Sequence, residues 1–219
     1  DGDWNVDFTV GRIPVSDTNV LHQYLQTMYR YEEGGTWRTN VLVVDAGGIY
    51  FGQANAFEST ISNGIHVLRT TNRSEVVESV SLGRGSIVYF GHGSHTYYGE
   101  SAIYLHRNDI YTLQETNEPS VFISAGCRTG HYGDPYSESI SEAMITQVGV
   151  GAAVFGSVMD LPMRDTADVL NAIGQAIYVD KVHCIGDAFY QSMHYYLPRV
   201  RSIHPLLLFG DPAMIINPE

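Results

Sequence analysis

The 219-residue sequence is 44% hydrophobic and 16% charged, which excludes wholesale disorder and is enough to build a sizeable core. Acidic residues outnumber basic ones 24 to 12, a formal charge of −12, and this argues against nucleic acid as a partner, because phosphate binding needs a basic stripe. No run of about 18 apolar residues occurs, so no membrane-spanning helix is expected.

Only two cysteines are present, Cys127 and Cys184, too few for a disulfide framework or a complete structural zinc site. The chain opens Asp1-Gly2-Asp3, without a methionine or a signal-like apolar segment. There is no internal repeat and no Pro/Ser-rich linker. Residues 1–219 therefore read as a single domain, processed or excised from a longer precursor.

In chain order, an extended piece at residues 8–10 precedes a turn at Gly11-Arg12-Ile13-Pro14. Asp17 is placed to cap a helix carrying Val20, Leu21, Tyr24, Leu25 and Met28, with Gly34 and Gly35 to stop it. Short apolar runs predict buried strands at residues 41–44, 64–68, 86–90, 120–125, 150–155 and 206–209. Helical spacing recurs at 74–82 (ended by Gly83), 137–148, 165–179 and 186–196, the last stopped by Pro198. Strands alternating with helices, and strands apolar on both faces, predict an α/β fold. Its sheet should be mostly parallel, of about six strands, and covered on both sides.

In such sheets, reactive groups gather beyond the carboxyl ends of the strands. The run at 86–90 leads into Gly91-His92-Gly93-Ser94-His95, and the run at 120–125 into Gly126-Cys127-Arg128. If these strands are neighbours, about 5 Å apart, His92 and Cys127 face one crevice. An imidazole can then take the thiol proton and later protonate a leaving amine. The Gly93 and Cys127 amides are placed to converge on a developing oxyanion. The competing readings are a buried structural cysteine, a histidine in a turn, or an N/S metal set of His92, His95, Cys127 and His131. The metal set lacks a tight Cys-x-x-Cys or His-x-x-x-His pair. Cys184, just before an apolar-periodic helix, reads as a buried structural thiol. No Gly-x-Ser-x-Gly elbow and no Gly-rich phosphate loop ending in Gly-Lys-Ser/Thr is present.

On these residues the chain resembles the gingipain family of cysteine peptidases, within the wider caspase-like clan. Gly91-His92-Gly93-Ser94 and Ala125-Gly126-Cys127 stand as that clan's two strand-end motifs, with 35 positions from His92 to Cys127. The opening Gly11-Arg12-Ile13-Pro14-Val15, the stretch Ser139-Ile140-Ser141-Glu142-Ala143, Gly186-Asp187-Ala188-Phe189 and the closing Leu208-Phe209-Gly210-Asp211-Pro212 are similar to further segments of the family. The likeness runs from about residue 8 to 216.

The resemblance implies a caspase-like three-layer sandwich and a secreted or cell-surface thiol endopeptidase acting on protein or peptide substrates. Cys127 would be the nucleophile, His92 the general acid and base, and the Gly93 and Cys127 amides the oxyanion hole. Gingipains prefer Arg or Lys before the scissile bond, read by a carboxylate. Glu58 and Asp160 are the leading candidates for that carboxylate, and Asp45 the candidate to orient His92. No cofactor is required; structural calcium is an expectation carried by the family and the many acids. The alternatives are a transpeptidase of the same fold and chemistry, or a catalytically silent caspase-like binding module.

Overall fold

A computed structural model describes residues 8–61, 64–134, 136–196 and 205–217. In chain order the elements are β1 (Gly11–Arg12), α1 (Thr18–Glu33), β2 (Asn40–Asp45), α2 (Phe51–Ile61), β3 (His66–Thr70), α3 (Arg73–Leu82) and β4 (Ser86–Phe90). There follow β5 (Gly93–Ser94), β6 (Tyr97–Gly99), β7 (Ile103–His106), α4 (Arg107–Thr112), β8 (Ser120–Ser124) and α5 (Ile140–Thr146). The chain continues through β9 (Gly151–Ser157), α6 (Met163–Gly174), a π-helical turn at Gln175–Val179, α7 (Ile185–Tyr196) and β10 (Leu206–Phe209).

Seven strands form the main sheet in the order β1-β10-β9-β8-β4-β2-β3, and every neighbouring pair but β10–β9 is parallel. The expectation of a mostly parallel α/β sheet holds, with one strand more than expected. Strands β4, β8 and β9 are buried at every residue, which is why they read as unbroken apolar runs. The crossovers β2-α2-β3 and β8-α5-β9 travel in opposite directions along the sheet. Right-handed connections therefore put α2 and α5 on opposite faces. Helices α1 and α4 pack with α5, and α6 and α7 extend the α2 layer. The result is a three-layer sandwich.

Local chemistry fixes the helix ends. The Asp17 carboxylate accepts the Asn19 and Val20 N–H groups at 2.8 and 3.1 Å, and Gly34 closes α1 at φ 75°. Ser139 and Glu142 form a reciprocal capping box that starts α5, three residues later than the helical spacing predicts. The expected turn at Gly11-Arg12 is instead strand β1, paired to Leu208 and Phe209. A Cβ on Gly11 would stand 2.1 Å from the Gly210 carbonyl oxygen, so only glycine lets the two chains come so close. The expected helix stop at Pro198 lies outside the described residues.

Register then sets the site. Asp45 pairs with Phe90 and Tyr89 with Ser124, and the ladder runs one step further through Ala125 N–H to the Tyr89 carbonyl at 3.0 Å. The reactive residues of β4 and β8 therefore leave the sheet at the same level and from adjacent strands.

Candidate active site

Beyond β4, the backbone is clamped before His92 is reached. The Tyr89 ring stacks on Tyr98 with centroids 4.6 Å apart, and its hydroxyl donates to the His92 carbonyl. The same carbonyl accepts the Gly99 N–H at 2.9 Å. Gly91 has no room for a side chain: a Cβ would lie 2.3 Å from the Tyr89 hydroxyl and 2.6 Å from the Ala46 Cβ. With its backbone held, the His92 ring projects half-exposed, edge-on to Tyr50 at 5.6 Å.

Beyond β8, a tight turn presents Cys127. The Gly126 N–H donates to Ser124 Oγ at 3.0 Å, Thr129 Oγ1 donates back to the Gly126 carbonyl at 3.1 Å, and Arg128 adopts φ 57°. A non-glycine residue at positive φ directly after a candidate nucleophile is uncommon and marks a bend held by its surroundings. The surroundings are residues 157–161, stitched to this turn. Arg128 N–H bonds Met159 O at 3.0 Å, Gly130 N–H bonds Ser157 O at 2.8 Å, and Leu161 N–H donates to Cys127 Sγ at 3.3 Å. Across the same seam Arg128 and Asp160 form a bidentate pair, both contacts at 2.9 Å.

The two loops meet backbone to backbone. A Cβ added to Gly93 would fall 2.8 Å from both Cys127 O and Gly126 Cα, and one added to Gly126 would fall 3.2 Å from Gly93 Cα. His92 and Cys127 thus flank one crevice, the juxtaposition expected from their strand ends. Tyr50 reports the same proximity. Burial pushes its phenol above the ordinary range, with the Cys127 and Glu100 charges adding to the rise. Among the described residues no acceptor takes the Cys127 N–H, which leaves that amide available to an incoming oxygen.

The acids fall out differently from their expected roles. Asp45 is buried, accepts the Gly47 N–H at 2.8 Å and pairs with Arg69 rather than with His92. Glu58 turns to the same guanidinium at 3.4 Å, and Arg69 is further tied to Asn55 and the Phe51 carbonyl and lies over the Phe51 ring. The carboxylate that stands against His92 is Glu100, its Oε2 3.5 Å from Nε2. Nothing in the sequence pattern marked Glu100, which lies in the turn joining β6 and β7, a hairpin whose strands are too short to read as strands.

A cavity of about 80 Å³ lined by Ala46, Tyr50, Tyr89, Glu100 and Tyr104 lies on the His92 side of the crevice. One of about 280 Å³ lies on the Cys127 side, between Arg128, His131, Met159 and Asp160. A third hollow, of about 320 Å³ between Arg38, Tyr178 and Lys181, opens at the amino-terminal edge of the sheet and shares no residue with the crevice. Both cysteines are free thiols; Cys184, expected to be buried, is only half-buried and lines a surface hollow with Phe8 and Tyr190, although burial still raises its pKa. Among the described residues no group of three or more His, Cys, Asp or Glu side chains is arranged to hold a metal, whether the His92, His95, Cys127, His131 set or a carboxylate nest for calcium. No helix among the described residues is long and apolar enough to cross a membrane.

The model of peptidase family C25 matches residues 1–217. The fold is similar to the crystal structure of the Arg specific cysteine proteinase gingipain R, with TM-score 0.84 and 14% identity over 99% of this chain and 57% of that one. It is similar to the same degree to the complex of Porphyromonas gingivalis RgpB pro- and mature domains, with TM-score 0.85 and 14% identity over 99% of this chain and 58% of that one. A Saccharomyces cerevisiae separase–securin complex is more distant, with TM-score 0.60 and 12% identity over 86% of this chain and 13% of that one. The chain thus spans somewhat more than half the length of the two gingipain structures, and at these identities the likeness is one of fold. No curated protein sequence matches it.

Proposed function

Because the chain belongs to peptidase family C25, we propose that it is a cysteine endopeptidase working through a His92/Cys127 dyad and an acyl-enzyme. The observation that supports this reading is the contact of Gly93, next to His92, with the Gly126–Cys127 backbone. In the proposed step Cys127 Sγ gives its proton to His92 and attacks the scissile carbonyl carbon. The carbonyl oxygen becomes an oxyanion facing the Gly93 and Cys127 amides. His92 returns the proton to the leaving amine nitrogen as the C–N bond breaks, leaving a thioester on Cys127. Water, deprotonated by His92, then releases the acid. The Leu161 N–H on Sγ aims the sulfur in the resting state.

The residue before the scissile bond is basic in this reading, and Asp160 receives it. Of the two carboxylates put forward from sequence, Glu58 faces an Arg69 already held on several sides. Among the described residues Asp160 is paired with Arg128 alone, and both side chains are more than half exposed, at 68% and 59%. Exposed pairs of this kind are screened by water and weak, so a substrate guanidinium can displace Arg128 and keep the bidentate geometry. The net charge of −12 favours the approach of a basic peptide. The reading also places the enzyme outside the cell or on its surface.

A fluorogenic peptide library varied at the residue before the scissile bond tests both parts. Wild type should turn over Arg and Lys peptides, and Cys127→Ala should turn over none. Asp160→Asn should raise KM for those peptides about tenfold with little change in kcat, the loss of one charge-assisted pair. Turnover confined to other residues would discard Asp160 as the reader and keep the dyad; turnover in Cys127→Ala would discard the dyad.

A further inference from the structure

The carboxylates Asp45, Glu58 and Asp160 each face an arginine in the resting structure. Glu100 is different: among the described residues its one charged partner is His92. The contact is built into the backbone rather than left to two long side chains meeting in water. Gly99, the residue before Glu100, donates its N–H to the carbonyl of His92 itself. Gly99 sits at φ 138°, where a Cβ would stand 2.1 Å from the Ala102 carbonyl oxygen, so the turn carrying Glu100 closes this tightly only with glycine there. The Glu100 N–H to Ala102 O bond, 3.2 Å, completes that turn. Tyr50 stands edge-on to the imidazole and limits its rotation from another side.

We propose that Glu100 is the positioning residue for His92, holding the Nε2–H so that Nδ1 is the nitrogen presented to the Cys127 sulfur. The proposal rests on the cysteine-peptidase reading above. The proton balance is simple. Nδ1 takes the thiol proton as the C–S bond forms, and both ring nitrogens are then protonated. Nε2 keeps its proton, facing the Glu100 carboxylate 3.5 Å away, which never takes it. Nδ1 passes the other proton to the leaving amine. Glu100 therefore acts through His92, by selecting a tautomer and facing the imidazolium. At 71% exposure of its side chain the carboxylate is screened by water, so the effect is smaller than in a buried triad.

The test compares wild type with Glu100→Gln, Glu100→Asp and His92→Ala on the preferred fluorogenic peptide. In parallel, the rate of alkylation of Cys127 by iodoacetamide at neutral pH is read on the Cys127 peptide by mass spectrometry. Iodoacetamide carries no side chain for a specificity pocket, so its rate reports thiol activation alone. Glu100→Gln should lower kcat about tenfold with KM within about twofold, and should slow alkylation by a similar factor. Glu100→Asp should restore a large part of both, and all variants should melt with wild type. Unchanged kcat and alkylation in Glu100→Gln, alongside a dead His92→Ala, would overturn the role of Glu100 alone. A raised KM confined to Arg and Lys peptides, with kcat and alkylation unchanged, would overturn it in favour of substrate reading. Full turnover in His92→Ala would remove the dyad, and this proposal with it.

Discussion

Where the two strand-end loops meet, the constraint falls on a glycine rather than on a reactive group. Gly93 meets the backbone of Gly126 and Cys127 at distances no Cβ tolerates, so Gly93→Ala must push the two strand-end loops apart. The shift needed is a few tenths of an ångström up to about 1 Å, enough for a loss of about 100-fold in kcat through misplacement of thiol against imidazole. The cost in stability should stay near 1–3 kcal/mol. Steady-state kinetics and urea denaturation on the same sample would separate the two, and wild-type kcat in Gly93→Ala would refute the contact. At this scale His92 and Cys127 were legible because strand-end position plus flanking glycines is a local pattern. Glu100 was not, since its meeting with His92 depends on a hairpin that places residues eight positions apart face to face. Asp45 was misassigned as the orienting acid for a related reason: strand-end position shows where a carboxylate lies but not that Arg69, 24 residues later, claims it.

At the scale of elements, strands buried on both faces announced themselves, and the runs at 86–90 and 206–209 match β4 and β10 to the residue. The edge strand β3 lies two residues beyond the expected 64–68 run, because its alternating exposure breaks the apolar signal. Helix α2 went unread: its buried Ala54, Phe57 and Ile61 are sparse, and no capping side chain marks its start. The expected helix at 165–179 is α6 followed by the π-helical turn, a change of backbone spacing that periodicity does not register. Strand β4 does more than fill the core. Through Tyr89 it reaches past its own end to hold the His92 carbonyl. Tyr89→Phe keeps the stack on Tyr98 and removes only that bond. It should cost about 1 kcal/mol in a urea melt and lower kcat several-fold, whereas unchanged kinetics would show that Gly99 holds the carbonyl unaided.

For the molecule as a whole, acid sensitivity should centre on the wall behind the Cys127 turn. His95 is largely buried there, with the His131 ring at 5.4 Å and the Asp134 carboxylate at 4.0 Å, and with Glu142 and Arg107 also acting on it. Burial first, and then His131, hold its pKa below the ordinary 6.5 despite the two carboxylates. The unfolded chain therefore takes up this proton before the native state does. The His95 contribution to stability is level above about pH 6.5 and declines as pH falls from there toward the depressed native value. Melting temperatures between pH 7 and 5 should fall more steeply in wild type than in His95→Gln; parallel curves would assign the slope to other groups. The two reactive residues lie on opposite sides of the β4–β8 seam, and along the chain they are joined through β5, β6, β7, α4 and the 113–119 connection into β8. A single cut in that connection would leave one fragment holding the imidazole and another holding the thiol, each inert alone. The proposed activity is thus a property of a seam, one that two separate polypeptides could in principle re-form by completing each other's sheet.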